Sequence, residues 1–175
     1  MYLIQKVRGS QNFSILLLND FLYYTSLHVR FSSIFYSTQL VDLFSYELPL
    51  QKKNNTNYLK NNNSYSDSYL VYNFHNVNFQ DRFFLFSIDT LNINNNNNSI
   101  NSISELFPNA NWLEREVSEL NGIIFSNKKD LRNLLLQYGD TSVPFQKSAP
   151  SIGYKEFYYD SVNDILLETP ITIQI

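Results

Sequence analysis

The residues with most chemical potential in this 175-residue chain crowd one stretch. Glu114, Arg115, Glu116 and Glu119 lie close together, and Lys128, Lys129, Asp130 and Arg132 follow shortly after. Neighbouring carboxylates can share the work of general acid and general base. That chemistry also needs a nucleophile or a metal beside them, and nothing of the kind accompanies this group. The chain has no Cys, which removes disulfides, Cys-bound iron–sulfur clusters, Cys-ligated zinc and thiol nucleophiles. Its two His, His28 and His75, are far apart in sequence and read as strand or loop residues rather than ligands. Two readings of the acidic group stay open. In one it is a solvated helix face, its acids favoured by the positive helix N-terminus, with an Arg115–Glu119 pair worth about 0.3–0.5 kcal/mol. In the other it is a buried interface network, since such groups stay charged inside a protein only when paired. Lys128, Lys129 and Arg132 are either a solvated basic face or cations set against an acidic partner surface.

The elements that must position these residues can be read from pattern. Asn109 is a plausible N-cap for a helix over 110–120, closed by Asn121-Gly122. Gly122–Phe125 reads as a short strand. Ser126 or Asn127 then opens a helix to Tyr138, with Leu131, Leu134, Leu135 and Tyr138 on one face and Gly139 as its left-handed stop. Trp112, Phe125, Tyr138 and that Leu stripe read as core. Upstream, Leu18, Phe21 and Leu22 predict a helix over 13–27. A strand is predicted over 33–46, ended by Pro49. Residues 68–78 and 82–91 are aromatic and β-branched, with a turn between them, which predicts a hairpin; the Phe83–Phe86 run reads as core. Ser102 opens a short helix that Pro108 stops. Beyond Pro144 the chain is extended, with strands at 154–160 and 164–173.

Composition bounds the rest. There are 24 Asn and 20 Ser against 4 Gly and 1 Trp, a bias expected of an AT-rich genome, so the Asn runs at 51–66 and 92–99 read as loops rather than folded structure. The sequons at Asn54 and Asn62 are chance products of that bias. A hydrophobic fraction of 43% allows a core without staples. The net charge of −3 and a pI near 5.3 lack the field that drives nucleic-acid backbone binding. No apolar run reaches the roughly 18–20 residues of a bilayer span. The first residues carry neither a secretory signal nor a mitochondrial presequence pattern; if the protein works inside an organelle, this form fits a chain made there or one already mature. The fold class is α+β: a mixed, mostly antiparallel sheet covered by helices. One domain is expected over 1–143, with an extended C-terminal arm over 144–175.

The segment Leu106-Phe-Pro-Asn-Ala-Asn-Trp-Leu-Glu-Arg-Glu-Val-Ser-Glu-Leu-Asn-Gly-Ile-Ile-Phe125 resembles the 30-kilodalton family of respiratory complex I, in its mitochondrially encoded form NADH dehydrogenase subunit 9. Asp130-Leu-Arg132, Leu134-Leu135, Tyr138-Gly139, Pro144, Lys147 and Pro150 follow in register. Gly153-Tyr-Lys-Glu-Phe-Tyr-Tyr-Asp160 and Glu168-Thr-Pro170 are similar to later family motifs. Departures are Lys128-Lys129 for His-Pro, Asn133 for Arg, and a weakened basic stretch at 146–149; the family's C-terminal tail is not matched before Ile175. The resemblance implies a core structural subunit of the peripheral, matrix-side arm of proton-pumping NADH:ubiquinone oxidoreductase at the mitochondrial inner membrane. It implies no catalytic, cofactor or metal residue here, with FMN, iron–sulfur clusters and ubiquinone held by other subunits. Its partners would be the 49-kilodalton subunit and neighbouring iron–sulfur subunits, with no nucleic acid and no membrane span. It assigns interface roles to Trp112, Glu114, Arg115, Glu116, Glu119, Lys128, Asp130, Arg132 and Lys147, and structural roles to Gly122, Phe125, Tyr138, Gly139, Pro144 and Pro150. The competing class is an organellar ribosomal or other RNA-associated protein with a β-sheet face.

Overall fold

The computed structural model describes residues 3–6, 12–35, 37–48, 67–90, 100–140 and 142–171; the Asn-rich loops expected at 51–66 and 92–99 lie outside them. Strands β1 (Leu3–Lys6), β2 (Phe13–Leu17), β3 (Thr38–Leu48), β4 (Asp67–Asn76) and β5 (Asp81–Thr90) form one sheet in the order β1-β2-β5-β4-β3. All neighbours run antiparallel except β2 and β5, which are parallel. The class is therefore α+β with a mixed, mostly antiparallel sheet. The expected hairpin is β4–β5, closed where Asn76 faces Asp81. The Asn76 side-chain carbonyl accepts the N–H groups of Asn78 at 3.0 Å and Phe79 at 3.3 Å, so the turn hydrogen-bonds itself.

Strand alternation puts Leu70, Tyr72 and Phe74 of β4 beside Phe83, Leu85 and Ser87 of β5 on the covered face. Two helices lie over it: α1 (Asn19–Phe31) contributes Leu22 and Val29, and α2 (Ala110–Asn121) contributes Ala110 and Val117 to the same cluster. Phe74 stacks on Phe83 with centroids 5.2 Å apart and meets Phe107 edge-on at 5.2 Å. Such pairs contribute about 0.5–1.5 kcal/mol beyond the area they bury. Beside this layer, β6 (Ile100–Asn101) and β7 (Phe125–Ser126) pair in parallel and bury Ile100, Ile103, Ile123 and Phe125. Downstream, β8 (Lys155–Asp160) and β9 (Ile165–Pro170) form an antiparallel hairpin.

The N-terminal third departs from expectation. Residues 13–17 are strand, not helix, because pairing of Phe13–Leu17 along Phe83–Ser87 of β5 fills a sheet position that helical periodicity does not reveal. The helix starts at Asn19, where the Ser87 hydroxyl donates to the Asn19 side chain, and it runs on to Phe31. His28 is accordingly an exposed helix residue rather than a strand or loop residue. The strand expected at 33–46 begins only at Thr38 and continues to Leu48. The helix expected from Ser102 is a single turn, in which Leu106 and Phe107 both donate to the Ile103 carbonyl at 3.0 Å. Of Phe83–Phe86, only Phe83 and Leu85 are buried; Phe84 and Phe86 sit half-buried on the opposite face.

Candidate functional site

Helix α2 organises the charged cluster. Its C-terminus stops at Gly122, whose φ of 77° is left-handed and whose N–H donates to Ser118 at 3.0 Å. A Cβ there would sit 3.0 Å from Gln146 Nε2 and 3.3 Å from Val143 Cγ1, so glycine is needed for both conformation and space. At the other end Asn109 occupies the cap position but makes no capping bond; its Nδ2 donates instead to the Leu40 carbonyl at 3.1 Å, fastening α2 to β3.

The inward face carries a buried ion pair. Glu114 is fully buried, and Lys128 Nζ reaches its Oε2 at 2.9 Å. The Ser102 hydroxyl donates to the same oxygen at 2.6 Å, and the Ile103 N–H donates to Oε1 at 2.9 Å. Lys128 also donates to the carbonyl and side-chain oxygens of Asn111 at 2.9 and 3.2 Å. Both carboxylate oxygens and the ammonium are thus supplied by this chain, which is what allows two opposite charges to remain inside. Glu114 and Lys128 therefore bond one another inside the chain, and the reading of Lys128 as part of a solvated basic face is corrected. Ser102, the Ile103 N–H and Asn111 complete the network. None of them stood out in the sequence, where Ser and Asn are too common to mark a site.

The outward face of α2 holds the following segment by its backbone. Arg115 donates through Nε to the Arg132 carbonyl at 2.8 Å and through Nη2 to the Asn133 carbonyl at 3.1 Å, with Nη1 at 3.5 Å from Asp130. Its guanidinium lies 5.9 Å from the Trp112 ring centre. Glu119 accepts the N–H groups of Leu134 at 2.9 Å and Leu135 at 3.0 Å, and that of Leu136. The ion pair of Arg115 is therefore with Asp130, not the expected Glu119. Partial burial alone would raise the Glu119 pKa, but the three N–H groups and Arg115 outweigh it and hold the carboxyl below its usual range. Asp130 is held far below it, first by the side-chain bonds from Arg132 at 2.9 and 3.0 Å and then by the Arg132 N–H.

These bonds explain why no helix forms over 128–138. The N–H and carbonyl groups that a helix would pair with each other are taken by Glu119 and Arg115, and the segment runs irregularly along α2. A run of Lys128-Lys129 at the start would in any case oppose the helix dipole. The core reading fails with the helix. Trp112 is 63% exposed, Leu131 71%, Leu135 61% and Tyr138 90%, whereas Phe125 is buried. Gly139 does take a left-handed φ of 85°, but in a turn. Glu116 is half-buried and forms no ion pair among the described residues; Lys129 pairs at the surface with Glu105 at 3.1 Å. Lys147 donates its backbone N–H to Glu47 at 2.7 Å, and Phe145 donates to Leu120 at 2.9 Å, so the chain is still tied to β3 and α2 there. Pro144 and Pro150 are exposed turn residues, and the Pro150 carbonyl accepts from Gly153 at 3.1 Å. Among the described residues no group of three His, Cys, Asp or Glu is placed to hold a metal.

The site is a scaffold of charges surrounded by exposed aromatic and aliphatic side chains, and the fold has known counterparts. It overlays a chain of the membrane-bound sulfane sulfur reductase, an archaeal respiratory membrane complex, with a TM-score of 0.56 over 82% of this chain and 71% of that one. At 13% identity the likeness concerns the fold. Residues 31–155 match the family described as the respiratory-chain NADH dehydrogenase 30 kDa subunit, and the chain belongs to that family. Its relatives include subunits of bacterial NADH-quinone oxidoreductases. It is 42% identical over 74 residues to the one from Francisella tularensis, covering 42% of this chain and 34% of the relative. It is 44% identical over 72 residues to the one from Rhodobacter capsulatus, covering 41% and 36%. The matched stretch thus spans about a third of the length of these relatives.

Proposed function

We propose that this chain is a core structural subunit of the peripheral arm of proton-pumping NADH:ubiquinone oxidoreductase, working on the matrix side of the mitochondrial inner membrane. In this role it supports assembly and the quinone-site region and transfers no electrons itself. The observation that carries the proposal is the pairing of an internally satisfied charged scaffold with a surface of exposed apolar residues. Glu114 and Lys128 pair inside, Arg115 and Glu119 spend their hydrogen bonds on holding one irregular segment, and that segment presents Leu131, Leu135 and Tyr138 outward. The β8–β9 hairpin adds Phe157, Tyr158, Tyr159 and Leu166, all at least about half exposed. Apolar groups gathered this way mark a binding surface. A two-stranded hairpin without a covering layer is also marginal in water, so a permanent partner explains it best.

The partner in this reading is the 49-kilodalton subunit, with the iron–sulfur subunits as further neighbours. FMN, the clusters and ubiquinone reside in those chains; the lack of any Cys here supports that division. No described helix is long and apolar enough to cross a membrane, in keeping with peripheral attachment through other subunits. The test is native electrophoresis of gently solubilised membranes, with mass spectrometry of the band that stains for NADH dehydrogenase. The chain is expected in that band. Its recovery with ribosomal particles would instead establish the RNA-associated alternative.

A further inference from the structure

A separate cleft of about 270 Å³ opens between the C-terminal end of α1, the start of β3 and the N-terminal end of α2. Its walls include Arg30, Thr38, Phe107 and Asn109, and none of its described lining residues is acidic. The Arg30 guanidinium lies 5.7 Å from the Phe107 ring centre and forms no ion pair among the described residues. The ring therefore fixes the cation at the cleft without neutralising it. Thr38 is 2% exposed and its hydroxyl has no hydrogen-bond partner among the described residues, an unusual state for a buried polar group. Asn109, at the cap position of α2, also lines the cleft; the first turn of α2 holds no acid, and its leading N–H groups, of Ala110 and Asn111, donate to the Phe107 and Pro108 carbonyls at 2.9 and 3.1 Å. A fixed cation thus lines a cleft to which the described residues bring no anion.

We infer that this cleft receives the carboxylate of an Asp or Glu side chain from a neighbouring protein subunit, bound by Arg30. A single side-chain cation matches the single charge of a carboxylate, whereas a phosphate would leave charge unpaired. The Phe107 face gives the methylene stem of such a side chain an apolar wall. The inference rests on the proposed role as a subunit but concerns a surface apart from the α2–segment face and the hairpin.

The test uses the assembled complex carrying R30K, treated with a water-soluble carbodiimide, which joins amines to carboxylates in direct contact. Mass spectrometry should find an amide between position 30 and an acidic residue of another subunit, absent from the unsubstituted complex. The Lys129–Glu105 pair, 3.1 Å apart on the surface, is the internal control for the reaction. R30E should lower the amount of this chain retained in the complex several-fold, while R30K retains it. If the chain sits in the complex, the control pair joins and position 30 does not, or joins only an acid of its own chain, the inference is overturned and the subunit role stands. If the chain is absent from the complex altogether, the subunit role and the inference fall together.

Discussion

At the scale of single residues, the account turns on Glu114 and Lys128. Removing one member of a buried pair leaves the other charged and unpaired, at a cost of about 3–5 kcal/mol, whereas replacing both by well-fitting neutral groups is far milder. K128M should therefore lower the unfolding free energy of the purified chain by about that amount. The double change E114Q/K128M should recover much of it, since the amide still offers an oxygen to the Ile103 N–H; equilibrium denaturation of the three proteins decides. Asp130 and Glu119 make a second prediction. Both have folded pKa values below their ordinary 3.8 and 4.5, so the stability they contribute is fully present above those values. It is lost as pH falls through the lower folded values. Trp112, the single tryptophan, lies against Arg115 and reports on this. Its emission should be constant from neutrality to about pH 4.5 and change only in more acid solution. A transition centred near pH 6 would contradict the assignment.

At the scale of elements, the segment from Lys128 to Asp140 is held by side chains of α2 rather than by its own ladder. E119A should accelerate amide exchange of Leu134, Leu135 and Leu136 by about tenfold or more while α2 keeps its protection. Equal acceleration throughout α2 would mean the carboxylate stabilises the helix instead. This segment also shows what sequence pattern can and cannot reveal. The β4–β5 hairpin was visible because its alternation and turn chemistry are local. Helix α2 was visible because Asn109 and Gly122 bracket an amphipathic run. The Leu131–Leu134–Leu135–Tyr138 spacing looked equally helical, yet the competing hydrogen bonds come from Arg115 and Glu119, and no window over 126–139 contains them. Strand β2 was hidden for a like reason: its partner, β5, lies 70 positions away, and a short apolar run suits helix or strand alike. Of the charged group, the residue types and their gathering near α2 could be read in advance. The inward turn of Glu114 and Lys128 could not, because it depends on Ser102 and the Ile103 N–H, which meet Glu114 only in the folded chain.

At the scale of the whole molecule, the body and the β8–β9 hairpin differ in how they are stabilised. The body has a continuous core from Leu17 to Phe125, whereas every residue of the hairpin is exposed or half-exposed. Trypsin should accordingly cut the free chain rapidly at Lys147 and Lys155, both exposed, and leave those bonds intact in the assembled complex. The central claim is that the charged face of α2 serves assembly and not electron transfer. Arg115→Ala tests it most directly, through the amount of assembled complex and the NADH:ubiquinone turnover per assembled complex, measured on the same membranes. The account predicts that the assembled amount falls several-fold while turnover per complex stays near normal. Full assembly with collapsed turnover would contradict it.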